Sequence, residues 1–276
     1  MRFLVFLLLL PLTIVAQPQN PSPMVEHTRT HPRISQVLVA GQRENLQVGV
    51  LFVPEGLKKD APLLVFFHGG SWLPQLAAGQ NDMAVVTVQT TVMGVVYGKL
   101  FEDPKRFLAL VDEAEKKAGR SFTRILVGGW SAGCSAIREI LKSPEAYEKI
   151  DSVLLIDGIH TDYTNGKPGP QESPLVADKL QIWLQLGRGA IAGKKGAIIT
   201  HSEVFPGTFA STTETADYIV WQLRVKRTPV LQWGPMGTQQ LSEVRTGRFL
   251  LIGYAGNSAP DHVDQLYSLS EYLKWM

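Results

Sequence analysis

Residues 124–137, RILVGGWSAGCSAI, constrain the fold more than any other stretch of the chain. Ile125, Leu126 and Val127 make a β-branched and aliphatic run, Gly128 and Gly129 interrupt it, and the small residues after Ser131 open a segment with helical spacing. Such a pattern is a strand, a sharp turn and a helix. Gly129, Trp130, Ser131, Ala132 and Gly133 fit G-x-S-x-G, in which the serine occupies a strained turn and its hydroxyl stands clear of the sheet. The glycines have a steric reason: a side chain two positions before or after the serine would strike the strand or helix packed against the turn.

The flanking segments place this turn in an alternating α/β chain. Residues 62–67 form a continuous apolar run, the mark of a strand buried on both faces, and run directly into His68, Gly69, Gly70, Ser71 and Trp72. Two glycines after a buried strand let backbone N–H groups turn toward one point, as an oxyanion hole requires. Residues 34–39 and 46–53 have strand composition and predict an antiparallel hairpin with 40–45 between them. Further strands are predicted at 84–90, 153–156 and 197–200, and a hairpin at 241–245 and 248–254 around Thr246 and Gly247. Helices are predicted at 103–118, from the elbow to about Lys142, at 172–186, at 212–225 with a Ser211/Glu214 capping box, and at 261–276. Residues 91–102 read as a loop. The sum is one mostly parallel sheet with helices on both faces, spanning 34–276, without room for a large lid between residues 157 and 197.

The first residues differ in kind. Met1 and Arg2 precede an apolar run to Ala16, followed by the Pro-rich residues 17–23. The run is shorter than the roughly 20 residues of a membrane span and has the features of a secretory signal cleaved after Ala16. A secreted or periplasmic protein with an extended segment at 17–33 is expected, a retained N-terminal anchor being the alternative. The 27 basic and 25 acidic residues leave a net charge of +2, too little to imply a nucleic-acid partner. Cys134 is the one cysteine, so no internal disulfide forms; it reads as a buried small residue.

A serine nucleophile needs a base, and histidine has the suitable pKa. Of six histidines, His262 lies just after the last predicted strand, where a base from the C-terminal end belongs, whereas His68 reads as an anchor for its own loop. Asp157 closes one predicted strand and Glu203 follows the next. Asp261 and Asp264 read as helix caps, and Trp72 and Trp130 as pocket lining or packing. His160 with Asp162, and His201 with Glu203, lack any recognised metal-ligand spacing.

Taken together, His68-Gly69-Gly70, the elbow around Ser131, a strand-end acid and a late His262 resemble the α/β-hydrolase family of serine esterases and lipases. The resemblance implies Ser131 as nucleophile, His262 as base, Asp157 or Glu203 as acid, and an oxyanion hole from the N–H of Ala132 with that of Gly70 or Ser71. It further implies hydrolysis of small or polymeric carboxylic esters through an acyl-enzyme, with no cofactor or metal. A peptidase or amidase with the same triad, or a catalytically silent binding protein on the same fold, are the alternatives.

Overall fold

The computed structural model describes residues 33–90, 92–166 and 174–276. The signal segment, most of the extended stretch behind it and the predicted helix start at 172 lie outside them. Among the described residues ten strands form one sheet: β1 (Gly41–Asn45), β2 (Val50–Pro54), β3 (Leu63–Phe67), β4 (Ala84–Val88), β5 (Ile125–Trp130), β6 (Ile150–Ile156), β7 (Gly196–His201), β8 (Thr228–Trp233), β9 (Gln239–Thr246) and β10 (Phe249–Tyr254). Their spatial order is β1-β2-β4-β3-β5-β6-β7-β10-β9-β8. The six strands from β4 to β10 in that order are parallel, and antiparallel hairpins close both edges.

Period-two alternation sorts the buried strand residues onto two helical layers. Leu63, Val65 and Phe67 of β3 face one core, with Val127, Leu155 and Ile199. Helices α3 (Pro104–Ala118), α4 (Cys134–Ile140), α6 (Gln181–Ile191) and α7 (Thr212–Leu223) cover it through residues such as Phe107, Ile137, Trp183 and Ile219. Leu64 and Phe66 face the other core, with Leu126, Leu154 and Ile198, beneath α1 (Trp72–Gln80), α8 (Ala259–Tyr267) and α9 (Leu269–Leu273). Both faces being buried explains why the parallel strands read as unbroken apolar runs.

Several boundaries differ from expectation for identifiable reasons. Residues 34–39 are not a strand; the first hairpin pairs Gly41–Asn45 with β2, its turn closed by Leu46 N–H to the Gly49 carbonyl at 3.0 Å. The polar residues of β1 suit an exposed sheet edge, and the Arg43 guanidinium lies 4.6 Å over the Phe52 ring. Within 91–102 a short helix, α2 (Gly94–Leu100), replaces the expected loop. A Cβ on Gly94 would sit 2.7 Å from Ser135 Oγ, so close packing on α4 outweighs glycine's poor helix propensity. Another short helix, α5 (Pro144–Lys149), begins on a proline at its first position, with Ser143 capping Ala146 N–H at 3.3 Å. Edge strand β8 escaped notice because its residues are exposed or half-exposed and lack alternation. The closing helix breaks at Ser268, whose hydroxyl donates to the Asp264 carbonyl at 2.9 Å.

Parallel strands bring their C-terminal ends to one edge, and there the chain sends β4 to one side of β3 and β5 to the other. Ligand crevices form at such a reversal. His68 to Ser71, Ser131, Asp157 and Ser202 all follow strands ending at this edge.

Candidate active site

Ser131 follows β5 directly, with φ +50°, a left-handed conformation that a non-glycine residue adopts at a cost. Both elbow glycines meet the contacts that their positions demand. A Cβ on Gly129 would lie 3.1 Å from Gly133 C and 3.2 Å from Cys134 N, and one on Gly133 would lie 2.2 Å from the Phe67 carbonyl oxygen. The turn is thereby wedged between the exit of β3 and its own helix. Cys134 is buried behind it, its thiol donating to the Gly129 carbonyl at 3.3 Å, and burial pushes that thiol's pKa up.

Asp157 directly follows β6, also in a left-handed conformation, and is 1% exposed. Its Oδ2 accepts from His262 Nδ1 at 2.7 Å and from Ser202 Oγ at 2.6 Å; its Oδ1 accepts from Ser202 N–H at 2.9 Å and from Thr212 Oγ1. Burial alone would raise this carboxyl's pKa, but the bonds from His262, Ser202 and Thr212 outweigh it and hold the pKa below the ordinary value. An ionised acceptor at Nδ1 keeps the imidazole proton there and leaves Nε2 as the basic nitrogen. The Asp157 and Ser131 turns are in contact, since a Cβ on Gly158 would lie 2.6 Å from Ser131 O and 2.8 Å from Ser131 N.

His262 enters from the first turn of α8. Ser258 caps that helix in a reciprocal box with Asp261, the carboxylate accepting from Ser258 N–H at 2.9 Å. Asp261 is thus the expected cap, while Asp264 differs: it lies within the helix and pairs with Arg33 at 2.6 Å. Trp130 ties the histidine to the elbow. Its Nε1–H donates to the His262 carbonyl at 3.0 Å, and its ring lies 4.6 Å from the His262 ring and stacks 5.0 Å from that of His68. Ser131 and His262 are joined through this indole and not by a direct hydrogen bond among the described residues. Trp72 packs instead against Tyr267, at 5.9 Å.

The loop after β3 has positive φ at His68, Gly69 and Gly70. His68 anchors it, with Nδ1 3.1 Å from the Tyr97 hydroxyl and a pKa lowered by burial and by nearby His262. The Gly70 N–H is already committed to Gln89 Oε1 at 2.9 Å. Of the three oxyanion candidates, that leaves Ser71 at the start of α1 and Ala132, buried beside Ser131, without a side-chain acceptor among the described residues. Glu203 is exposed and does not meet His262; its carboxylate accepts from Gly256 N–H at 3.4 Å and its own N–H donates to the Gly256 carbonyl. No group of three or more His, Cys, Asp or Glu among the described residues is arranged to hold a metal ion. His201 Nδ1 is taken by Thr213 Oγ1 at 3.0 Å.

Sequence reading missed the residues that hold the triad candidates rather than the candidates themselves. Ser202, Thr212 and Gln89 carry no pattern that reveals their partners, because each partner is distant in the chain. Thr212 had one indirect signal, the Ser211/Glu214 capping box that sets it at a helix start. A cavity of about 440 Å³ opens beside Ser131, lined among others by Val95, Ser135, Arg138, His160 and Phe209.

Six parallel strands flanked by antiparallel edges, with a left-handed serine after the third strand in the parallel row, settle the architecture. The fold is that of the α/β hydrolases. No protein-family model and no curated protein matches the sequence. Similar solved structures include carboxyl esterase 2 from the fungus Tuber melanosporum, at 16% identity over 89% of this chain and 90% of that one, TM-score 0.48. An acetyl xylan esterase from Aspergillus awamori is 10% identical over 80% and 93% of the two chains, TM-score 0.44. A monoglyceride lipase from Saccharomyces cerevisiae is 11% identical over 89% and 97%, TM-score 0.42.

The indole clamp has a measurable consequence. Trp130→Ala removes both the ring contact and the Nε1–H bond, so kcat for hydrolysis is expected to fall by about ten- to a hundredfold with a smaller change in KM. A kcat within twofold of the parent would show that Trp130 does not position His262.

Proposed function

We propose that the protein is a serine hydrolase acting on carboxylic esters, with Ser131 as nucleophile, His262 as base and Asp157, rather than Glu203, as acid. The observation that carries this reading is the buried Asp157 carboxylate bonded to His262 Nδ1 at 2.7 Å, with Ser131 held in a left-handed turn against the same segment. In the reaction, His262 Nε2 takes the Ser131 proton as Oγ attacks the ester carbonyl. The N–H groups of Ala132 and Ser71 are the oxyanion donors, with Gly70 joining them where Gln89 releases it. The imidazolium next protonates the departing alkoxide, and water, deprotonated by the same nitrogen, cleaves the acyl-enzyme. No step requires a cofactor. The secreted or periplasmic location rests on the signal-like residues 1–16.

A fluorophosphonate probe tests the reading, because it forms a stable adduct only with an activated serine. One adduct per chain on Ser131, absent in Ser131→Ala, together with turnover of short-chain esters, is the expected outcome. Equal labelling of wild type and Ser131→Ala, or none in either, rules the reading out. Faster turnover of matched amides than of esters would move the assignment to an amidase or peptidase.

A further inference from the structure

The wall of the cavity beside Ser131 says more about the substrate than the triad does. Ser131, Ser135 and Arg138 follow the i, i+4, i+7 spacing of one helical face and all three line the cavity. Ser135 and Arg138 lie on one face of α4, directly after the turn that carries Ser131, and so share one cavity wall with it. Its Nε donates to Glu139 at 3.1 Å, but Glu139 is shared with Lys142 at 2.5 Å, so one carboxylate serves two cations. The terminal nitrogens of Arg138 have no acceptor among the described residues. The other cation of the lining, Lys179, is paired with Asp162. Arg138 is thus ion-paired through Nε while its terminal nitrogens have no acceptor among the described residues, and that guanidinium fork matches a carboxylate in shape as well as sign.

His160 supplies a second donor. It lines the same cavity with its ring edge against Phe209, centroids 5.1 Å apart, and its Nδ1 is buried without a partner. A proton on Nδ1 would be stranded there, so the proton belongs on Nε2, the nitrogen the cavity can reach. Burial lowers the pKa of this imidazole to about 4, so it stays a neutral donor at ordinary pH. The Ser135 hydroxyl is likewise uncommitted among the described residues. Val95 and Phe209 give the cavity apolar sides.

We infer that the ester cleaved at Ser131 carries a carboxylate a few bonds from the scissile carbonyl, held between the Arg138 fork and His160 Nε2–H. The substrate class is the half-ester of a short dicarboxylic acid. This rests on the hydrolase reading above and adds to it the acyl group's charge.

Monoethyl glutarate and ethyl pentanoate, followed by proton release, compare an anionic with a neutral acyl chain of equal carbon number. The wild type is expected to favour the glutarate half-ester by about tenfold or more in kcat/KM, mainly through KM, with the preference shrinking as salt rises. Arg138→Gln is expected to bring the ratio close to one through KM, and Arg138→Lys to keep part of it, as charge without the fork. A wild-type ratio of one or less, or a ratio unchanged in Arg138→Gln, overturns the inference. The wild-type ratio and its salt dependence need no variant, so they decide the matter even where a variant fails to fold. Hydrolysis of ethyl pentanoate without preference for the half-ester overturns this inference alone. No turnover of either ester, with no fluorophosphonate adduct, overturns the hydrolase reading and this inference with it.

Discussion

Asp157→Asn is expected to lower ester kcat by about three to four orders of magnitude, whereas Glu203→Gln stays within a few-fold of the parent. The asymmetry follows from what the two side chains face. Four donors converge on the Asp157 carboxylate: the N–H and Oγ of Ser202, Thr212 Oγ1 and His262 Nδ1. An asparagine offers one oxygen to these four. The Ser202 N–H on the Oδ1 side cannot become an acceptor, while the Ser202 hydroxyl and the imidazole on the Oδ2 side can. The amide nitrogen therefore settles toward His262, forces its Nδ1 to accept, and moves the imidazole proton to Nε2. That tautomer cannot take a proton from Ser131. Glu203 is exposed and, among the described residues, hydrogen-bonds to the Gly256 segment and not to His262, so neutralising it leaves His262 as it was. Steady-state kinetics of both variants, with circular dichroism to establish folding, are the check; similar small losses in both would remove Asp157 from the mechanism.

The same carboxylate links stability to pH. Its folded pKa is depressed below the ordinary value, so its contribution is fully present above the unfolded value of about 4 and is lost as pH falls through the folded one. Asp157→Asn has no carboxylate to protonate there and is expected to show a shallower loss of stability on the acid side.

Gly133→Ala is the other large effect, and it acts on the scaffold. The added Cβ would lie 2.2 Å from the Phe67 carbonyl oxygen, 2.6 Å from Phe67 C and 2.9 Å from His68 Cβ. The first two are main-chain atoms of the central strand β3, bonded into the ladder on both sides, so they cannot swing aside as a side-chain end would. Relief requires the elbow to lift off the sheet, at about 3 kcal/mol or more. For a chain of this size that corresponds to a melting point lower by roughly 6 °C or more, accompanied by loss of ester turnover as Ser131 moves with the turn. A variant melting within about 2 °C of the parent would mean that the elbow has slack which the contacts do not show.

Gly133 also marks how much was legible beforehand. The elbow, the buried run of β3, the Ser211/Glu214 cap and the Thr246-Gly247 hairpin were readable because each is a local pattern whose physical cause lies within a few residues. Ser131 and His262 followed from strand ends and chain order, and the Asp157/Glu203 alternatives from the family resemblance. The edges of the sheet were not readable: β1 and β8 are exposed, and exposed strands lack the alternation that burial imposes. Helix α2 was hidden by glycines whose purpose, close approach to α4, exists only once the two helices meet.

What the sequence by itself determined is the class of fold and the identity of the nucleophile and base candidates, because strained turns and buried strands demand particular residue types. The tertiary structure alone separated Asp157 from Glu203, since both sit at strand ends and only packing places one against His262. It alone placed the Trp130 clamp on that histidine and set Arg138 in the wall of the cavity beside Ser131. Those are contacts between residues far apart in the chain, and their energies depend on burial and on shared partners, which no local pattern encodes.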